Sequence, residues 1–349
     1  MKCTNKKMKK RVSRKQRKKK LLTMILLGMC VLILLAAGVL LVLSKKKESP
    51  LYAPMPFVLA EEINELSLKD DFLIADGVAA DLCVGADNTP YSGIQTQDDE
   101  KAALFDISRK NLMFSRSLYE KAYPASITKI MTALIAMEKA DMDEIVTIVP
   151  EDVQLEEGSQ VAGLVPGDRV SMDKLFHALL VYSANDAAMA IARTVGGDID
   201  TFVQMMNEEA QRLGMTGTHF MNPHGLHNEN HYTTVYDIYL MLNEAMKNPV
   251  FTDTTQLGSY TLEYEGADGE KKQRWLDATD HYLTGESAAP KGITILGGKT
   301  GTTDDAGACL ALMVQNNYGE PYISIVLDAY NKTILYDRMN MLLEKTNRQ

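Results

Sequence analysis

Cysteine is scarce in this chain: four in 349 residues, at positions 3, 30, 83 and 309. Residues so few and so far apart set up no disulfide framework, and spacing alone leaves open whether Cys83 and Cys309 pair. Acidic residues are absent from the first 47 positions, which hold 15 of the 37 Lys and Arg. Charge of either sign is absent from Leu21 to Leu43, a run of 23 residues. At ~1.5 Å per residue such a run is long enough to cross a bilayer. There is no internal repeat.

What is present divides sharply by charge. Residues 1–20 carry twelve Lys or Arg, and Lys45, Lys46 and Lys47 come after the apolar run. This bias places a basic tail in the cytoplasm, a single transmembrane anchor at 21–43 and the rest of the chain outside. A cleavable signal peptide fits less well, because its apolar core usually spans about 7 to 15 residues and no small-x-small site comes directly after this one. Beyond residue 47 the balance is 22 basic against 46 acidic groups, a net charge of −24. A surface of that sign avoids polyanions and excludes nucleic acid as a partner. Residues 44–97, with Pro50, Pro54 and Pro56, read as an extracellular linker, partly ordered, in which Asp71 to Val84 adds an edge strand. Residues 98–349 then form one domain of ordinary enzyme size.

Three short strings carry the chemistry. Ser-x-x-Lys occurs at 44–47, at 126–129 and at 171–174, so context has to choose among them. Ser44 lies at the end of the apolar run beside lysines. Ser171 comes after Pro166-Gly167-Asp168 and reads as a helix N-cap. Ser126 opens a run in which Ile130, Leu134 and Met137 recur at helical spacing, which places Lys129 one turn later on the same face. A serine hydroxyl needs a base to become a nucleophile, and a lysine serves only when burial or nearby positive charge lowers its pKa. Ser183-Ala184-Asn185 breaks two apolar helical stretches; it offers a hydroxyl to relay a proton and an amide to hold a substrate amide. Lys299-Thr300-Gly301 comes after Ile293 to Leu296 and Gly297-Gly298 and reads as a strand at a sheet edge, where Lys299 and Thr300 can bind a carboxylate.

Together with Tyr-Pro-Ala-Ser-Ile-Thr-Lys at 123–129, Pro-Gly-Asp at 166–168, Asn-Pro-His-Gly-Leu-His at 222–227 and Gly-Gly-Lys-Thr-Gly at 297–301, these strings resemble the D-alanyl-D-alanine carboxypeptidases, the low-molecular-mass penicillin-binding proteins. The resemblance implies Ser126 as the acylated nucleophile, Lys129 as its base and Ser183 as a catalytic proton relay. Asn185, Lys299, Thr300, Gly301 and Thr302 would bind substrate, and the backbone amides of Ser126 and Thr302 would form the oxyanion hole. Thr302 stands where the family often has a bulkier or imidazole residue. The family's usual small C-terminal β-domain has no counterpart in the pattern.

The fold expected is α+β, of serine β-lactamase/transpeptidase type: an antiparallel sheet of about five strands, flanked by helices, with an all-helical subdomain. A first hairpin covers 103–106 and 111–115, helices dominate 126–213, strands return at 293–302, 306–315 and 321–329, and a helix closes the chain at 333–345. His224, His227 and His231 with Glu229 suggest zinc at first sight. Pro223 and Gly225 break the helix that a facing pair would need, so no metal and no cofactor is expected. Tyr232, Tyr236 and Tyr239 read as packing. The resulting expectation is a D,D-carboxypeptidase of a bacterial membrane's outer face, acting on peptidoglycan stem peptides and acylated by β-lactams. The alternatives are a class A-like β-lactamase, for which Glu229 would have to hold the deacylating water, and a catalytically silent wall-binding module.

Overall fold

The computed structural model describes residues 81–96 and 99–347. The basic tail, the run at 21–43 and most of the expected linker lie outside the described residues. Among the described residues no helix is long and apolar enough to cross a membrane, and all of them fall in one compact unit.

The hairpin appears as β1 (Lys101–Asp106) and β2 (Asn111–Arg116), paired antiparallel. Every residue of β1 is buried, because its alternating side chains meet two cores: Ala103 and Phe105 on one face, Ala102 and Leu104 on the other. Of the edge strand expected at 71–84, residues 71–80 lie outside the described set. The stretch from residue 81 up to β1 makes only isolated bridges, Val84 to Asn111 and Thr89 to Ser115, among its described residues. Cys83 is buried there, and its N–H donates to the Tyr239 hydroxyl at 2.9 Å.

From Ser126 the chain forms α1 (Lys129–Lys139), and two short strands come next: β3 (Ile145–Thr147) and β4 (Arg169–Ser171). Helices do dominate 126–213, but these two strands, which the pattern does not indicate, interrupt them. Each strand is three residues long, too short for an alternating pattern to register, and β4 pairs with β5 (Ser259–Glu265), far away in sequence. With β6 (Lys271–Asp277) they make a second, four-stranded antiparallel sheet, in the order β3-β4-β5-β6. Between β4 and β5 in sequence run α2 (Met172–His177), a π turn (Ala178–Tyr182), α3 (Asn185–Gly196), α4 (Ile199–Arg212), α5 (Val235–Ala245) and α6 (Pro249–Thr255). Ser171 does occupy the N-cap of α2, but its side chain makes no capping bond.

After a short α7 (His281–Thr284), the chain returns to the first sheet through β7 (Thr294–Thr303), β8 (Gly307–Gln315) and β9 (Pro321–Ala329), close to the expected spans. The order β2-β1-β9-β8-β7 joins the two ends of the domain in one antiparallel sheet. The closing helix α8 (Lys332–Glu344) buries Leu335, Met339, Leu342 and Leu343 against Leu104, Leu310, Leu312 and Val326 on one face. The helices hold the other face, where Phe105 stacks on Tyr239 with ring centroids 4.2 Å apart. Cys83 and Cys309 are separate, buried free thiols. Because β7 is an outer strand, one row of its backbone groups is left unused by the sheet and borders the site.

Candidate active site

Ser126 sits in a 3-10 turn, Ala125–Thr128, that leads directly into α1. Ala125 before it has φ +46°, a left-handed conformation that an alanine adopts only when the surroundings enforce it. The enforcement comes from both sides. A Cβ at Gly225 (φ +89°) would run into the Ala125 carbonyl. One at Gly301 would come within 2.9 Å of Pro124 O and 3.0 Å of Ser126 N. Only glycines at 225 and 301 allow the histidine-rich loop and β7 to grip the nucleophile turn this tightly.

The Ser-x-x-Lys string at 126–129 has the expected geometry; the one at 44–47 lies outside the described residues. Lys129 is fully buried, and its Nζ lies 2.8 Å from Ser126 Oγ, 2.6 Å from Asn185 Oδ1 and 2.7 Å from the His224 carbonyl. Burial, then the positive charge of Lys299, hold its pKa well below the ordinary value, against an opposing pull from Asp186. A neutral amine has two N–H bonds and one lone pair. With the two acceptors Asn185 Oδ1 and His224 O taking the N–H bonds, the lone pair is left for the Ser126 hydroxyl to donate into.

Ser183 has φ +66° at the end of the π turn, and its buried Oγ has no hydrogen-bond partner among the described residues. It lines the same cleft as Ser126, a space of about 230 Å³ bordered also by Gln160, Thr279, Thr300, Gly301, Thr302, Lys332 and Tyr336. An unpartnered hydroxyl facing a cleft is costly unless something arrives to use it. Asn185 opens α3, with its side-chain oxygen committed to the Lys129 amine.

Lys299 is also buried. Its Nζ donates to Thr300 O at 3.0 Å, and burial lowers its pKa to about 7, with Asp280 pulling the other way. The Thr300 hydroxyl hydrogen-bonds the Thr279 hydroxyl, and Thr302 donates its hydroxyl to Gly301 O at 2.8 Å. The structure thus gathers Ser126, Lys129, Ser183, Asn185, Lys299, Thr300, Gly301 and Thr302 around one cleft and the strand that walls it.

The histidine-rich loop has other work than metal binding. His231 accepts from Met221 N through Nδ1 at 3.2 Å, which leaves its other nitrogen to donate to the Thr128 hydroxyl at 2.8 Å. His224 accepts from Leu226 N at 3.1 Å. Burial drives both imidazoles to pKa values of about 3. His227 faces Asp305 at 3.3 Å and packs edge-on against Tyr123. Glu229 lines a different hollow, with Tyr123, Tyr232 and Asp305, and among the described residues no carboxylate lines the cleft of Ser126. Tyr236 and Tyr239 pack on each other, while Tyr232 receives Lys121 over its ring at 3.6 Å.

Sequence reasoning missed several residues here. Asp186 stands directly after the Ser-Ala-Asn string, yet nothing in the pattern marks it. Thr279, Lys332 and Tyr336 belong to no motif and reach the cleft only through folding, and Asp280 lies beside Lys299 and Thr300 in an adjoining hollow. Asp280 is buried, which raises its pKa, and it accepts from the Tyr336 hydroxyl at 3.1 Å.

The sequence profile of the D-alanyl-D-alanine carboxypeptidase family (peptidase S11) matches residues 91–331. D-alanyl-D-alanine carboxypeptidase DacF of Bacillus subtilis is 32% identical over 217 residues, 60% of this chain and 52% of its own length. DacC of Escherichia coli is 29% identical over 250 residues, 69% of this chain and 59% of its own. The chain therefore spans a little over half the length of these curated relatives. In fold it is similar to the Streptomyces K15 DD-transpeptidase, with a TM-score of 0.65 at 24% identity, covering 70% of this chain and 94% of that one. The D-alanyl-D-alanine carboxypeptidase of Mycobacterium tuberculosis gives 0.66 at 25%, covering 76% and 98%. With Ser126, the buried Lys129 amine and the β7 edge assembled as described, the chain belongs to the D-alanyl-D-alanine carboxypeptidase family of serine peptidases.

Proposed function

We propose that the protein is a D,D-carboxypeptidase that removes the terminal D-alanine from peptidoglycan stem pentapeptides, anchored by residues 21–43 with its catalytic domain on the outer face of a bacterial membrane. The observation that carries the reading is the 2.8 Å contact between a fully buried Lys129 Nζ and Ser126 Oγ, beside the carboxylate-binding pair Lys299 and Thr300.

In this mechanism the peptide lies along β7 with its terminal carboxylate at Lys299 and Thr300. Ser126 Oγ attacks the penultimate carbonyl as its proton passes to neutral Lys129. The oxyanion forms between the N–H groups of Ser126 and Thr302, where each donor is worth about a hundredfold or more in rate. Collapse returns a proton to the leaving nitrogen through Ser183, and D-alanine departs. Water then attacks the acyl-enzyme, the tetrapeptide leaves and Ser126 regains its proton. A β-lactam ring presents the same carbonyl and carboxylate, so it acylates Ser126 as well. The absence of a carboxylate lining the cleft among the described residues supports this reading over a class A-like β-lactamase, since no side chain there holds a deacylating water.

Intact-protein mass spectrometry after penicillin treatment, with the adduct mapped to a peptide, tests the assignment. A stable adduct on Ser126 and D-alanine release from diacetyl-L-lysyl-D-alanyl-D-alanine are expected, both lost in Ser126→Ala. Labelling that survives in Ser126→Ala refutes it, and rapid penicillin turnover selects the β-lactamase. Binding to cell walls without D-alanine release selects the silent module. Removal of residues 1–43 should move the protein from the membrane fraction to the soluble one.

A further inference from the structure

We propose that Asp186 is a positioning residue for this reaction, holding the 160–164 wall of the cleft against the Ser183-Ala184-Asn185 turn and supplying a carboxylate charge that faces the base. The inference rests on the reading of Ser126 as nucleophile and Lys129 as base. Asp186 is 1% exposed and makes no ion pair among the described residues. Its carboxylate instead collects four backbone N–H groups: Oδ1 accepts from Ala162 at 2.9 Å and Ala187 at 3.0 Å, and Oδ2 from Gly163 at 2.9 Å and Leu164 at 3.1 Å. Three of the four donors are consecutive residues of one loop, so a single side chain clamps that loop onto the start of α3.

The clamped loop reaches the chemistry through Gln160. Its side chain lines the cleft with Ser126 and donates from Nε2 to Tyr182 O at 3.0 Å, and its carbonyl accepts from Asn185 N at 2.8 Å. Asn185 then holds Lys129 Nζ. Asp186 is thus linked to the base by an unbroken path: loop backbone, Gln160, Asn185 and the amine. The carboxylate is bound by backbone N–H groups and makes no direct ion pair; the Arg274 guanidinium, which lies against Gly163, is the cation that shares its field with Lys129. The groups facing Lys129 are Ser126 on its own turn, Asn185 and Asp186 on α3, Lys299 on β7 and His224 on the histidine-rich loop. Of these, Asp186 alone is anionic. It opposes Lys299, so the base is kept from becoming too weak to take a proton from serine.

Asp186→Asn tests the proposal, since it keeps the shape but removes the charge and replaces one acceptor oxygen by a donor. Acylation by fluorescent penicillin is measured from pH 5 to 9, with kcat and KM for the dipeptide substrate and the melting temperature alongside. Loss of the anion lowers the base's pKa, so the acid midpoint of acylation should shift down by about half a pH unit or more. The plateau rate should fall about tenfold or more as the amine loses its orientation. A wild-type midpoint overturns the proposal, even if the rate falls with stability, because a purely structural clamp has no reason to move the midpoint. If Asp186→Asn does not fold, Asp186→Glu decides: it keeps the charge but alters the clamp, so a wild-type acid midpoint with a plateau rate lowered about tenfold supports the proposal, and a wild-type plateau rate overturns it. Failure of the underlying reading is separate: it would show as labelling that persists in Ser126→Ala.

Discussion

Gly301→Ala puts one methyl group where the structure has no room for it. The new carbon would stand 2.9 Å from Pro124 O, 3.0 Å from Ser126 N and 3.1 Å from Ala125 Cβ. Ordinary contacts of carbon begin at about 3.5 Å, and none of the three atoms is the end of a flexible side chain. Strand β7 and the nucleophile turn must therefore separate by roughly half an ångström. Overpacking of this kind costs about 1 to 3 kcal/mol, which for a domain of this size lowers the melting temperature by several degrees and leaves it folded. Catalysis suffers more, because the same separation pulls Ser126 N away from Thr302 N, its partner in the proposed oxyanion hole. Misplacement by about 1 Å costs roughly a hundredfold, so half of that costs roughly tenfold in acylation. The assay is the time course of fluorescent-penicillin labelling at equal concentrations of folded protein, with thermal melting in parallel. Wild-type labelling at an unchanged melting temperature would refute the packing of β7 on the nucleophile turn.

Buried charge leads to two more predictions. Asp280 keeps Lys299, lowered by burial to about 7, from losing its proton earlier. Asp280→Asn should lower that pKa further, so KM for the peptide should climb with rising pH from a point below neutrality; an alkaline limb identical to wild type would count against the pair. His224 and His231 are neutral in the fold down to about pH 3 and protonate near 6.5 when unfolded. The unfolded chain thus binds more protons between these values, and stability is lost as pH falls through that window, by up to ~1.4 kcal/mol per pH unit for each imidazole. Urea titrations at pH 7, 5 and 4 measure the slope, which His231→Gln should flatten.

Much of the fold was legible because it is local or strongly patterned. The β7, β8 and β9 spans, the α8 helix and the first hairpin announce themselves through runs of apolar residues bounded by turns. The two three-residue strands β3 and β4 do not, since their pairing energy comes partly from β5, about a hundred residues downstream. In the site, Ser126, Lys129 and Lys299 were readable as chemical types at fixed spacing. Asp186 and Asp280 were not, because a buried aspartate looks the same in sequence as a solvated one.

The order of the motifs, the charge division at residue 47 and the serine-lysine spacing belong to the sequence alone, for each depends only on which residues stand next to which. The burial of the Lys129 amine, and the opposed demands on two lysines, belong to tertiary structure. A pKa is set by what surrounds an amine, and here the surroundings come from α3, β7 and a histidine-rich loop that only folding brings together.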